Sequence, residues 1–374
     1  MSYSIHIGPN IRKSPYFDAT VADGVRSFSV YNHMYIPGNF GDPEGEYDRL
    51  LNGVAMWDVG AERQVEIWGK DAAALVDRLC SRDLSKTKVG QGRYVAICNH
   101  QGQLINDPVL LKLDEQRYWL SIADSDIQLW ASAVAQAEGY DVLVHEPDVS
   151  PLAIQGPLAV DLAADLFGQW VRDLKYFWFK ETELFGIPLV LCRSGWSKQG
   201  GFELFLTDGS RGRELWETIR EAGQAYRIGP GAPNDAERVE SGLISYGADC
   251  RLPDYPADPF ELGLRHIVDL DGDTEFIGKA ALRDIAARGP ARRRTGFFID
   301  GPPVSGNQHP LPVLMGDETV GYLSEMVRSP RLDRNIGVGL IATDVADDAF
   351  LTVNLGTEPD ADHRAVTLSG LPFL

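Results

Sequence analysis

The chain has 374 residues, enough for two or three packed units and too many for one small core. Hydrophobic residues make up 44% and charged residues 24%, an ordinary globular profile, and the longest apolar stretches, such as Ile187 to Cys192, are far too short to cross a bilayer. The formal net charge of -19 serves solubility; it also repels phosphate backbones and anionic lipid, which argues against nucleic acid or a membrane surface as a partner.

Met1 to Asn10 lacks a basic patch followed by an apolar run, so a cytoplasmic location is expected. Cys80, Cys98, Cys192 and Cys250 show no C-x-x-C spacing and no histidine in a zinc pattern, so reduced thiols and no metal are expected.

In chain order, Gln64 to Trp68 alternates as a strand, and Asp71 precedes a helical stripe of Leu75, Val76 and Leu79. Arg93 to Cys98 reads as a strand, Asn99 to Gln103 as a turn, and Leu104 to Leu113 as a strand interrupted at Pro108. Tyr118 to Ala123 is a strand. Asp124 or Ser125 then caps a helix carrying Ile127, Trp130 and Val134, and Asp141 to His145 returns as a strand. That order is a split βαβ, ferredoxin-like unit. A second unit follows, with strands at Leu152 to Gln155, Pro188 to Cys192 and Phe202 to Leu206. Its helices are read as one running from Gly156-Pro157 through Leu166, one over Arg213 to Ala222 and one over Ala236 to Tyr246. Composition changes after Arg288. Short strands recur at Thr295 to Ile299, Leu311 to Met315, Val320 to Met326, Ile336 to Ile341, Phe350 to Asn354 and Ala365 to Leu368, the pattern of a small all-β barrel or sandwich.

The common chemical motifs are absent. Gly229-Pro230-Gly231 lacks the third glycine of a dinucleotide turn and follows no convincing strand, and the glycine that would close a nucleophile elbow around Ser197 is displaced. Three segments place polar groups where apolar ones are expected: Asn106-Asp107 inside an apolar run, Glu203 between Phe202 and Leu204, and Arg238 with Glu240 around Val239. Taken alone, each has a plain explanation: a turn cap, a solvent-facing strand position and helix surface, respectively.

Those three segments coincide with landmarks of the aminomethyltransferase family, the T-protein of glycine cleavage and its relatives. Ala55 to Val59, Arg82 to Ser85, Gly102 to Asp107, Gly201-Phe202-Glu203, Arg238-Val239-Glu240-Ser241-Gly242-Leu243, Phe276 to Lys279 and Ser329-Pro330 resemble its ordered motifs over nearly the whole chain. Within that family Ser194 to Glu203 is most similar to the dimethylsulfoniopropionate demethylase branch. Asn106 replaces the first aspartate of the T-protein pair, and Phe205 stands where that branch is expected to have tyrosine.

The resemblance implies an α+β fold, a three-domain ring with folate in its central channel. Residues 1–288 would form two intertwined ferredoxin-like units, one over roughly 55–148 and the other from the N-terminal segment plus 149–288, with a β-barrel over 289–374. It implies methyl transfer from a sulfonium to N5 of tetrahydrofolate. Two alternatives remain: a folate-dependent transferase acting on a methylated amine or on the glycine-cleavage carrier, and a folate-binding protein without turnover. Asp107 would act at the folate amine; Glu203, Tyr94 and Arg238 would hold the cofactor. Trp196, Trp170, Phe205, Tyr31, Lys198 and Ser121 would line the site of a small cationic donor, by cation–π contact in the case of the aromatics. A homodimer is compatible with this reading.

Overall fold

The computed structural model describes residues 7–356 and 361–374. The chain packs as two compact units, each assembled from non-contiguous segments. Unit one takes the chain to Ala73, then Thr87–Arg93 and Val109–Pro233; unit two takes Ala74–Lys86, Tyr94–Pro108 and Asn234–Leu374.

Unit one contains two large sheets. One is five-stranded, in the order Leu143–His145, Gln64–Trp68, Arg117–Ser121, Val109–Asp114, Gln91–Tyr94. The other is six-stranded, in the order Phe179–Leu184, Ile187–Cys192, Gly201–Leu206, Ser150–Gln155, Val54–Asp58, Ile228–Gly231. Gly201–Leu206 pairs with a neighbour on each side, so it lies inside its sheet. Side chains alternate between faces along a strand. Phe202, Leu204 and Leu206 therefore point one way, into a core shared with Leu162 and Ala163 of the helix Ala159–Phe167 and with Leu215, Trp216 and Ile219 of the helix Gly212–Ala222. Phe205 points the other way, packing with Val190, Cys192, Leu111 and Trp119. Each such large apolar side chain stabilises the fold by about 1.5–3 kcal/mol when fully buried. With both faces covered, Glu203 cannot take the solvent-facing position that alternation suggested.

Unit two contains the expected barrel, and it is closed: Arg292–Ile299, Arg334–Ala342, Glu318–Ser329, Leu311–Met315, Leu351–Asn354 and His363–Ser369. Its interior holds Phe297, Val313, Leu323, Ile341, Leu351 and Val353. Val239 of the helix Asp235–Ser241 packs on Ile336 and Val338 of the barrel wall.

Several elements differ from the sequence reading. The helix expected over 236–246 spans Asp235–Ser241: Asn234 caps its start by accepting from the Glu237 amide at 3.0 Å, and Gly242 ends it in the left-handed conformation at φ 64°. The segment expected as one strand over 93–98 is divided into Gln91–Tyr94 and Ile97–Cys98, while Pro108 separates Leu104–Asn106 from Val109–Asp114 as anticipated. Gly229-Pro230-Gly231 is itself part of a strand, Ile228–Gly231, running parallel to Val54–Asp58. Asp124 does not cap the following helix; its carboxylate accepts from the Asn32 amide at 2.7 Å, holding the N-terminal hairpin Ser27–Tyr31/Met34–Asn39. Among the described residues no helix is long and apolar enough to cross a membrane.

Candidate active site

Two groups of buried polar residues stand out, one in each unit. In unit two, Asp107 lies between the strand Leu104–Asn106 and Pro108. A proline has no N–H to continue the ladder, so the chain leaves the sheet there and the carboxylate turns aside. Tyr94 Oη donates to Asp107 Oδ2 at 2.7 Å. Asp107 keeps some solvent exposure yet sits deep among side chains. Burial raises its carboxyl to about 7, with a smaller push from Asp249, against the opposing pull of the Tyr94 hydrogen bond and Arg238. A carboxylate poised there can hold or release a proton near neutrality.

Around it lies a buried ion network. Arg238 pairs with Asp249 at 2.7 Å and with Glu325 at 2.8 Å, and Arg294 pairs with Asp249 at 3.1 Å. Ser324 Oγ donates to Asp249 at 3.0 Å. Burial works against the Asp249 charge, but the guanidinium groups of Arg238 and Arg294 hold its carboxyl below the ordinary carboxylate value. Arg238, expected to hold cofactor, is thus engaged by the protein's own acids and is 1% exposed. Glu240 is equally buried, accepting from Ser329 and from the Arg331 guanidinium, so neither residue is plain helix surface.

In unit one, Glu203 is buried on the strand Gly201–Leu206, and Ser194 Oγ donates to its Oε2. Burial raises the Glu203 carboxyl, and the Ser194 hydrogen bond partly offsets this. Tyr176 is 57% exposed, yet the partial enclosure of its phenol and the nearby Glu203 charge push that phenol up to about 12. A buried acceptor carboxylate beside an aromatic ring suits the N–H-rich edge of a planar heterocycle such as a pterin.

The expected donor-binding residues divide into groups. Trp196 is half-buried, Ser197 is buried and Lys198 is exposed, all on the segment joining Ser194 to Glu203. Trp170 donates its Nε1–H to the Phe167 carbonyl at 2.7 Å, and the ammonium of Lys180 lies 4.5 Å from its ring centroid, so that face already carries an internal cation. Phe205 is 1% exposed with its ring centroid 6.3 Å from that of Trp119, a core position. Ser121 is buried and accepts from Gln64 Nε2 at 2.9 Å. Tyr31 is half-buried at the hairpin end, opposite Met34. The sequence reading did not single out Ser194, Tyr176 or Asp249 as site residues. Ser194 lay within the family-like segment Ser194 to Glu203, whereas nothing local marks Asp249.

The chain is similar to known proteins in both sequence and fold. The model of the GCVT N-terminal domain matches residues 16–272, and that of the glycine cleavage T-protein C-terminal barrel domain matches 292–374. The chain is 40% identical over 340 residues, 90% of its length and 91% of the relative's, to dimethylsulfoniopropionate demethylase of Ruegeria pomeroyi. It is 28% identical to an aminomethyltransferase of Bacillus mycoides, covering 97% of each. The solved structure of glycine cleavage system aminomethyltransferase T from Bartonella henselae has the same fold, with a TM-score of 0.85 at 21% identity, covering 97% of this chain and 98% of that one. The chain belongs to the glycine cleavage T-protein family of tetrahydrofolate-dependent transferases.

Proposed function

We propose that the protein moves a methyl group from the sulfonium of dimethylsulfoniopropionate to N5 of tetrahydrofolate, giving methylthiopropionate and 5-methyltetrahydrofolate. The observation that carries this reading is the 40% identity, over 90% of the chain, to a relative named for that demethylation, against 28% to the aminomethyltransferases. Asn106 supports it, because an amide stands, fully buried, where the T-protein pair has its first aspartate.

Tetrahydrofolate, when bound, supplies a secondary amine as methyl acceptor. Glu203 accepts hydrogen bonds from the pterin edge, with Ser194 fixing one of its oxygens. Asp107, steadied by Tyr94, orients the amine, balances the positive charge that leaves the donor sulfur, and takes up the proton released on methylation. The donor departs as a neutral thioether, so no group is needed to protonate it. Trp196 offers the cation an indole face rather than a carboxylate that would trap it. This reading carries with it a core through residue 288, a separate barrel from 289 and a cytoplasmic address.

Incubation of the purified protein with tetrahydrofolate and dimethylsulfoniopropionate should yield both products in equal amounts. A panel of quaternary and tertiary methylammonium compounds and the aminomethyl carrier runs alongside. Turnover on those alone would replace the sulfonium reading, a possibility kept open by the 28% identity to aminomethyltransferases across 97% of the chain. Folate binding with no turnover on any donor would favour a non-catalytic binding protein.

A further inference from the structure

Gln155 ends the strand Ser150–Gln155 and is 1% exposed. A buried primary amide is costly unless its two N–H groups and its carbonyl are all engaged. Here they are. Nε2 donates to the Ser194 carbonyl at 3.1 Å, and the Ile154 and Phe202 carbonyls lie at 3.3 and 3.4 Å. Oε1 accepts from Ser197 Oγ at 2.8 Å, and that hydroxyl in turn accepts from the Gln199 amide at 3.3 Å. One side chain therefore reaches both ends and the middle of the segment 194–202.

The segment is shaped around this amide. Gly195 and Gly201 have φ of 145° and 143°, a conformation that side chains rarely adopt. A Cβ at Gly195 would stand 2.0 Å from Gln155 Nε2, and one at Gly201 would stand 2.7 Å from the same atom. Gly195 is thus required by the amide itself, and Gly201 chiefly by the Ile154 carbonyl oxygen, 2.2 Å from its would-be Cβ, with the amide next. The Gly156 amide adds a 2.9 Å bond to the Gly200 carbonyl.

The two anchored serines lead to different places. Ser194 donates to Glu203, and Ser197 sits between Trp196 and Lys198. We infer that Gln155 is a positioning residue whose single amide sets both the carboxylate of Glu203, through Ser194, and the Trp196–Lys198 turn, through Ser197. It thereby couples the cofactor-facing and donor-facing parts of this segment. The assignment of those two parts to folate and donor rests on the proposed function; the clamp itself does not.

The test uses the full-length protein and the variants Ser197→Ala, Ser197→Thr and Gln155→Met. The last is similar in volume but has no hydrogen bonds to offer. Three quantities are measured: the rate of tryptic cleavage after the exposed Lys198, identified by fragment mass; the folate Kd; and donor KM and kcat. Ser197→Ala should be cut about tenfold faster, since cleavage follows local opening. Its donor KM should rise about fivefold, with kcat and folate Kd within about twofold. Ser197→Thr, which keeps the oxygen, should restore both. Gln155→Met should be cut faster and should also weaken folate about fivefold, because Ser194 is released as well.

Unchanged cleavage in both Ser197→Ala and Gln155→Met would overturn the inference, and needs no ligand to be read. Equal losses of folate affinity, donor KM and kcat in Ser197→Ala would also overturn it, marking the serine as packing. Faster cleavage in variants of a protein that binds no folate would sink the proposed function while supporting the clamp.

Discussion

Asp107 and Asp249 are carboxylates of the same unit in opposite settings. Asp249 is held by the guanidinium groups of Arg238 and Arg294 and stays below the usual carboxylate range in spite of its burial. Asp107 has a tyrosine hydroxyl as its direct partner and is pushed up to about 7. Burial acts the same way on both, so the partner decides the outcome. Two guanidinium groups hold the Asp249 charge, whereas the hydroxyl leaves Asp107 free to change; Glu325, which shares the Arg238 guanidinium with Asp249, is still pushed up to about 7 by burial. Glu203 in unit one follows the Asp107 pattern, with a serine as its hydroxyl partner and a raised carboxyl. Of these three, the two hydroxyl-held acids are those assigned to chemistry, and the guanidinium-held Asp249 braces the fold; Asp58, held by the Ser14 hydroxyl and pushed up to about 6 by burial, shows that a hydroxyl partner does not by itself mark a site.

The comparison breaks most visibly at Arg238. Arg238→Met should cost about 3–5 kcal/mol of stability, because it removes the guanidinium that buried Asp249 and Glu325 share and leaves Asp249 with Arg294 alone. Urea unfolding near pH 7.5 measures this, and a loss under 1 kcal/mol would show that the network is not a brace. Asp107→Asn should leave folding and folate affinity nearly intact while lowering kcat about 100-fold, roughly 2.7 kcal/mol of transition-state stabilisation. Unchanged turnover in a single-turnover assay would reduce Asp107 to a turn residue. Glu203→Gln should weaken folate about tenfold, or 1.4 kcal/mol, by titration of the cofactor, with little change in Tm. Trp196→Leu should raise the KM of a sulfonium donor about tenfold and leave a neutral analogue within about twofold; equal weakening of both would mean that the ring only fills space.

The pH response is the subtlest. With its folded value raised from 3.8 to about 7, Asp107 binds a proton more readily in the native state. Its stabilising contribution is complete below the unfolded value and is lost as pH climbs through about 7. The Tm of Asp107→Asn relative to wild type should therefore rise between about pH 4 and pH 7 and level off above. A flat difference across that window would remove the raised carboxyl from the account.

The barrel was legible in the sequence because each strand is short, alternating and bounded by turn signals; Leu311–Met315 falls where the pattern placed it. The strand Ile228–Gly231 was not, since its Gly-Pro-Gly sequence has no strand propensity and owes its conformation to a distant partner. Alternation also misjudged Glu203. The period gives which face a residue takes but not whether a second layer covers that face. Asp107 and Glu203 stood out as polar residues inside apolar runs, but that pattern alone favoured a turn cap and a solvent-facing position; the family resemblance gave them their roles. Gln155, Ser194 and Asp249 act through contacts many residues away, as the ion pair joining Arg238 to Asp249 illustrates, and no local pattern announces such contacts.

The parallel pairing of Ile228–Gly231 with Val54–Asp58 also bears on how the protein is made. Val54-Ala55-Met56-Trp57 leaves the ribosome early, while the strand that covers its outer edge emerges only once residue 231 is synthesised. Throughout that interval the nascent chain carries an apolar edge with unsatisfied backbone donors and acceptors, a natural target for chaperones and for mispairing between neighbouring chains. Slowed or interrupted translation within residues 58–228 prolongs that exposure.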